Sequence, residues 1–195
     1  MEITAAMVKE LRSQSGAGIM ECKSALKETQ GDVEDAITFL RKKGLAKADK
    51  KAGRQTAEGV IGSYIHQGSK IGVMLELNCE TDFVANTPDF QGLVRDIAMH
   101  IAAARPRFST REEVTEDVLA KEREIFAHQA KESGKPENIV EKIVTGKMEK
   151  FYEENCVLEQ PFIKDTNITI GDLIKQKIAL LGENINIGQF SRFEI

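Results

Sequence analysis

The 195-residue chain has no apolar run near the roughly 18 residues that a membrane-spanning helix requires. Its first segment, MEITAAMVKELRSQ, has an acid at position 2 and no apolar stretch, so no secretory signal is expected. Cysteine is scarce: Cys22, Cys79 and Cys156 are far apart, odd in number and never in a CxxC pair. That argues against a disulfide framework and points to reduced thiols in a cytoplasmic protein. The phosphate-cradling patterns GxxxxGK(S/T) and GxGxxG are absent, as is the serine-hydrolase pattern GxSxG. Positive charge is not in excess either, since the formal net charge is −4. Broad nucleic-acid binding needs a basic surface to neutralise phosphates, so the balance argues against it. His66, His100 and His128 fall on different expected elements, and none stands at metal-ligand spacing from a Cys, Asp or Glu. No metal site and no catalytic constellation is expected.

The first fifty residues read as three short helices. Thr4 can cap the first, with Ile3 and Val8 placed as a hydrophobic staple, and the apolar face continues through Leu11. The run Ser15–Gly18, SGAG, breaks it. The second helix carries Ile19, Cys22 and Leu26 on one side. Asp32 is an N-cap for the third, whose Val33, Ala36, Ile37 and Leu40 follow the i, i+3, i+4, i+7 pattern, and Gly44 stands where a C-cap glycine would. Helices this short do not stand alone, so a small bundle is expected. Arg41–Arg54 then brings seven basic residues and one acid with little apolar pattern, which reads as the end of the third helix and a polar linker. The domain reading is 1–54 for the helical bundle with its basic linker and 55–195 for the remainder.

In the second part the period changes. Ile71, Val73, Leu75 and Leu77 alternate with Gly72, Met74, Glu76 and Asn78, the pattern of a half-buried strand. The preceding GVIGSYIH is its antiparallel partner across the turn QGSK. Thr87 and Pro88 begin a long helix with Phe90, Leu93, Val94, Ile97 and Ile101 on one face, and Pro106 stops it. Residues from about 111 to 132 and from about 136 to 155 read as two charged helices, and TIGDLIKQKIALLGE as another. NINIGQFSRFEI closes the chain as a strand made irregular at Gly188, able to complete a three-stranded antiparallel sheet. The order β-β-α-α-α-α-β makes the fold class α+β.

One segment resists this bland reading. In NCETDFVAN, Asn78–Asn86, a phenylalanine beside an aspartate occupies what should be a polar connection between strand and helix. The residues alone leave two readings open: Phe83 tucks under the following helix while Asp82 caps a turn, or Phe83 is held out for a partner. The basic stretch leaves a further possibility, an RNA-binding linker through Lys47, Lys50 and Lys51, although no aromatics interleave with it.

Four segments in order carry a resemblance. They are TAAMVKELRSQSGAGIMECKSALKE with GDVEDAITFLRKKG, ADKKAGRQTAEG, IGVMLELNCETDFVAN and DIAMHIAAARPRF; LLGENI and RFEI near the end add to them. Together they resemble elongation factor Ts, the nucleotide exchange partner of the translational GTPase elongation factor Tu, in its short bacterial or organellar form. The resemblance covers nearly the whole chain. It implies a ubiquitin-associated-like (UBA-like) three-helix domain followed by an α+β core that also dimerises. It implies that Phe83 inserts between two helices of the GTPase, and that Asp82 helps disturb the groups holding the magnesium. GDP then loses its counter-charge and leaves. Thr81 and Val84 belong to the same signature and shape it. Arg12, Ile19 and Met20 match contacts of the small domain, and His66, in SYIHQG, matches a partner-contacting histidine. No cofactor, nucleic acid or membrane is implied, and the compartment is the cytoplasm, or the plastid stroma for an organelle-encoded member. Longer members carry two copies of the strand-hairpin-helix block and this chain carries one, so a homodimer is expected to restore the pair.

Overall fold

The computed structural model describes residues 3–132, 134 and 136–195. Its contacts group the chain into two compact units. One comprises Met1–Val60, Leu77–Leu93 and Ile174–Asn186, the other Ile61–Glu76, Val94–Leu173 and Ile187–Ile195. The class is α+β.

The first unit opens with α1 (Ala5–Ser15), α2 (Ile19–Glu28) and α3 (Val33–Asp49). The Thr4 hydroxyl accepts from Met7 N–H, and the Asp32 carboxylate accepts from Asp35 N–H at 2.8 Å, so both expected caps form. Gly16 closes α1 in the left-handed region, at φ 67°. Val8, Leu11, Cys22, Ala25, Leu26 and Ala36 form a buried cluster, with Ile3, Val33, Ile37 and Leu40 packed against it. Two expectations change here. Ile19 does not join Cys22 and Leu26 inside, because it is the first residue of α2 and stays 56% exposed. Gly44 is not a cap, because α3 runs on to Asp49. A Cβ at Gly44 would lie 3.2 Å from the Cβ of Ala179, so the missing side chain serves a close helix approach.

The longer α3 makes most of the basic stretch helical, and several of its charges are engaged internally. Lys47 pairs with Glu21, Lys51 donates to the Gly182 carbonyl, and Arg54 lies 3.4 Å from Glu80. Those partners compete with any nucleic-acid phosphate.

A three-stranded sheet follows the order β1 (Glu58–Ile65), β2 (Ile71–Cys79), β5 (Ile185–Glu194). The end of β1 meets the start of β2 through His66 N–H to Ile71 C=O, and Ile195 N–H donates to Lys70 C=O, so β5 runs back along β2. In the second unit, Val73 and Leu75 are buried while Met74 faces outward. The inner face is covered by α5 (Pro88–Ala104): a Cβ on Gly62 would come within 2.1 Å of Val94, and Arg192 donates to the Ala102 carbonyl. The outer face carries Ile61, Ile65, Met74 and Phe193, each at least half exposed.

α6 (Glu116–Glu132) and α7 (Glu137–Asn155) form a helical hairpin. α6 starts five residues later than the expected 111, after a short 3-10 turn at Arg111–Glu113. Arg111 anchors the hairpin's base, pairing with Glu149 and Glu159 and lying 4.4 Å from the Tyr152 ring centre. A second hairpin, β3 (Pro161–Phe162) with β4 (Asp165–Thr169), was not expected from the pattern. α8 (Ile170–Leu181) follows it. Among the described residues no helix is long and apolar enough to cross a membrane, and no group of His, Cys, Asp and Glu could hold a metal ion.

Candidate partner-binding site

Strand β2 ends at Cys79, whose side chain is fully buried. Burial pushes the Cys79 thiol above its ordinary pKa, and the nearby Glu183 carboxylate adds to the rise. The thiol therefore stays protonated and donates to the Thr81 carbonyl at 3.1 Å. The same carbonyl accepts from Ala85 N–H, which begins the helical turn α4 (Asp82–Ala85). Thr81 is the N-cap: its backbone is extended and its hydroxyl accepts from Val84 N–H at 3.4 Å. The expected polar connection is thus a capped turn of helix, and Thr81 rather than Asp82 caps it.

The exit from the turn is equally specified. Asn86 N–H and its side-chain amide both donate to the Asp82 carbonyl. The Thr87 hydroxyl donates to the Val84 carbonyl at 2.8 Å and accepts from Phe90 N–H at 3.2 Å, so one side chain ends α4 and caps α5. Gln91 donates to the Ala85 carbonyl at 2.8 Å.

Within this framework Ala85 points inward and is buried, whereas Phe83 is 82% exposed. The reading in which Phe83 tucks beneath the next helix is excluded; the buried ring here is Phe90, a residue of that helix itself. Asp82 is exposed, and its carboxylate forms no ion pair among the described residues. Val84 is half-buried. An exposed ring on a turn held by hydrogen bonds at both its start and its exit is a rigid apolar projection with an acid beside it.

The turn has support that the sequence reading missed. The Glu183 carboxylate, just beyond α8, accepts from Glu80 N–H at 3.1 Å, Thr81 N–H at 3.0 Å and the Thr81 hydroxyl at 2.7 Å. In return the Glu80 carboxylate accepts from Asn184 N–H at 2.6 Å. Asn184 is fixed in turn by its side-chain amide, which donates to the carbonyls of Ala52 and Arg54. Glu183 and Thr81 are 102 positions apart, so no local signal announces the link.

The other candidates lie in two further places. Arg12, Ile19 and Met20 flank the α1–α2 turn and are all exposed, Met20 at 76%. His66 is exposed at the β1–β2 turn in the second unit, with its Nδ1 3.1 Å from the Tyr64 hydroxyl. No hydrogen bond or ion pair among the described residues joins these groups to the signature turn. His100 is fully buried and structural. Gln160 donates through its amide nitrogen to the Glu154 carbonyl, so its oxygen faces His100 Nε2 at 2.9 Å and takes that nitrogen's proton. Nδ1 has no hydrogen-bond partner among the described residues, and desolvation lowers the imidazole's pKa.

Comparison with known proteins bears on the whole chain. Residues 2–195 match the family model described as Elongation factor TS. The chain is 62% identical over 195 residues to the elongation factor Ts of Fervidobacterium nodosum, covering all of this chain and 99% of that protein. It is 58% identical over 194 residues to that of Solibacter usitatus, covering all of this chain and 92% of that protein. It is 59% identical over 193 residues to that of Carboxydothermus hydrogenoformans, covering 99% of this chain and 89% of that protein.

Proposed function

The chain belongs to the elongation factor Ts family, and on that premise we propose that it is a guanine-nucleotide exchange factor acting on elongation factor Tu. It makes and breaks no covalent bond and needs no cofactor of its own. Its effect falls on the GDP and magnesium held by its partner. The observation that carries this reading is the exposed Phe83 ring on a turn capped at its start by Thr81 and tied at its exit by Asn86 and Thr87.

An exchange factor must bind the nucleotide-free GTPase more tightly than the loaded one, because affinity shared equally by both states shifts nothing. The coupling is reciprocal: whatever factor weakens GDP also weakens the exchange factor when GDP is bound. The molecule therefore needs anchors indifferent to nucleotide and a wedge that is not. Residues 1–54, with Arg12, Ile19 and Met20 exposed, suit an anchor, and His66 suits another in residues 55–195. Phe83 suits the wedge. Burying a phenylalanine is worth roughly 1.5–3 kcal/mol, one to two powers of ten in affinity. A tightly held nucleotide requires more than that. Asp82, exposed beside the ring, is the group we assign to the magnesium side, while Thr81 and Val84 hold the pair in place.

We further propose that the protein is a homodimer of the cytoplasm, or of the plastid stroma. It carries one strand-hairpin-helix block where longer family members carry two, and its sheet presents an apolar outer face.

The decisive experiment is release of fluorescent GDP from elongation factor Tu with and without this protein. The wild type accelerates release, and Phe83→Ala, with its fold intact by circular dichroism, slows the accelerated rate at least tenfold, the lower end of what burying the ring supplies. Normal stimulation by Phe83→Ala would remove the wedge.

A further inference from the structure

We infer that Glu183 is a positioning residue for exchange: it fixes the turn that presents Phe83 without itself meeting the partner. The inference rests on the reading of Phe83 as the wedge.

The turn α4 is a single helical turn of four residues, too short to hold its own shape. Its first hydrogen bonds both run to Thr81: Val84 N–H to the hydroxyl and Ala85 N–H to the carbonyl. The direction in which Phe83 points is therefore set by Thr81, and Thr81 is set by Glu183. A hydroxyl has one proton and two lone pairs. Glu183 Oε1 takes that proton at 2.7 Å, which turns the lone pairs toward Val84 N–H. Glu183 Oε2 meanwhile takes the backbone N–H groups of Glu80 and Thr81. Three donors on two adjacent residues thus depend on one carboxylate, and hydrogen bonds to an ionised acceptor are the strong kind.

The carboxylate is itself well mounted. Gly182 ends α8 with its N–H donating to the Ile178 carbonyl at 2.9 Å and φ at 82°. Lys51 holds the Gly182 carbonyl, and Asn184 is tied to Ala52, Arg54 and Glu80. Glu80 and Glu183 thus form a reciprocal latch: the Glu183 carboxylate accepts from Glu80 and Thr81 N–H, and the Glu80 carboxylate accepts from Asn184 N–H.

The test compares wild type, Glu183→Ala, Glu183→Gln, Phe83→Ala and Phe83→Ala/Glu183→Ala. GDP release from elongation factor Tu is measured against factor concentration, which separates the saturating rate from the half-saturating concentration. Loss of orientation lowers the saturating rate about tenfold or more in Glu183→Ala, with the half-saturating concentration little changed. Glu183→Gln falls between, because its amide oxygen still accepts from Thr81 N–H while its NH2 group cannot take the hydroxyl proton. The double variant is no slower than Phe83→Ala alone, because Glu183 acts through the ring. Amide hydrogen exchange at Val84 and Ala85 quickens in Glu183→Gln, which keeps the test valid should the alanine variant misfold. A wild-type saturating rate in Glu183→Ala, unchanged amide exchange, or full additivity in the double variant would each overturn the inference. A wild-type rate in Phe83→Ala would instead remove the wedge reading beneath it.

Discussion

Phe83 and Phe90 stand seven residues apart, at the second and third positions of two helices each capped by a threonine, and they meet opposite fates. Phe90 is fully buried and Phe83 is 82% exposed. The difference lies in what holds each helix. α5 has 17 residues and a continuous apolar face, with Leu93, Val94, Ile97 and Ile101 buried along it, so burial fixes its position. α4 has four residues and inserts only Ala85, so burial contributes little and hydrogen bonds to Thr81, Thr87 and, through Thr81, Glu183 fix it instead. One region uses its phenylalanine to fold, and the other spends hydrogen bonds to keep its phenylalanine out of the fold.

The sharpest break of this contrast comes from truncating both rings. Phe90→Ala leaves a cavity in a packed site and should cost about 3–5 kcal/mol of stability, read as a lowered midpoint in urea. Phe83→Ala should change stability by no more than about 0.5 kcal/mol, as for an ordinary surface position, yet abolish most of the exchange. Equal losses of stability at both positions would show that Phe83 supports the fold.

The two faces of the sheet repeat the contrast at larger scale. Val73 and Leu75 are buried on the inner face, whereas Ile61, Ile65, Met74 and Phe193 leave the outer face apolar and open. A charge introduced at Phe193 should disrupt a dimer built on that face and leave the inner core untouched. Phe193→Glu is expected to raise the dimer dissociation constant about a hundredfold, close to the ~3 kcal/mol typical of an interface hot spot. Sedimentation velocity across a dilution series reads the change, and a wild-type distribution would locate self-association elsewhere.

A smaller effect separates the two caps. Thr87→Val removes the acceptor for Phe90 N–H and should lower stability by about 1 kcal/mol through α5. Thr81→Val breaks the link to Glu183 and to Val84 N–H. Because α4 buries so little, its stability loss should be smaller, with the larger change in the saturating exchange rate. Thermal unfolding and exchange assays on the pair distinguish a fold-bearing cap from a presenting one.

Much of the burial-held region was legible in the sequence. The alternation of β2, the face of α5, the caps at Thr4 and Asp32 and the α+β class all follow from period and capping chemistry, which are local. Phe83 was legible only as an anomaly, since a ring in a turn has the same local sequence whether it faces in or out. What decides the matter is Glu183, 102 positions from Thr81, and such a partner leaves no periodic trace. Gly44 misled for the same reason: a glycine that admits Ala179 looks like one that ends a helix. The β3–β4 hairpin went unseen because its first strand has two residues, too few for alternation to register.

The last contrast belongs to the histidines, where presentation and burial differ again. His66 is exposed at a turn, whereas His100 has no accessible surface and an Nδ1 without a hydrogen-bond partner among the described residues. Desolvation holds the His100 pKa below the ordinary 6.5, with Gln160 opposing it only in part. In the unfolded chain the imidazole takes up a proton as pH falls through about 6.5, and in the folded chain it does not until lower pH. The unfolded state then binds more protons, so the stability that neutral His100 provides is complete above that pH and is lost below it. The slope from one such group is at most about 1.4 kcal/mol per pH unit. His100→Phe removes the titrating group and should flatten the decline of unfolding free energy between pH 7 and the folded pKa by up to that amount. An identical slope in wild type and variant would mean that the imidazole accepts its proton inside the folded protein, and that Nδ1 finds a partner there.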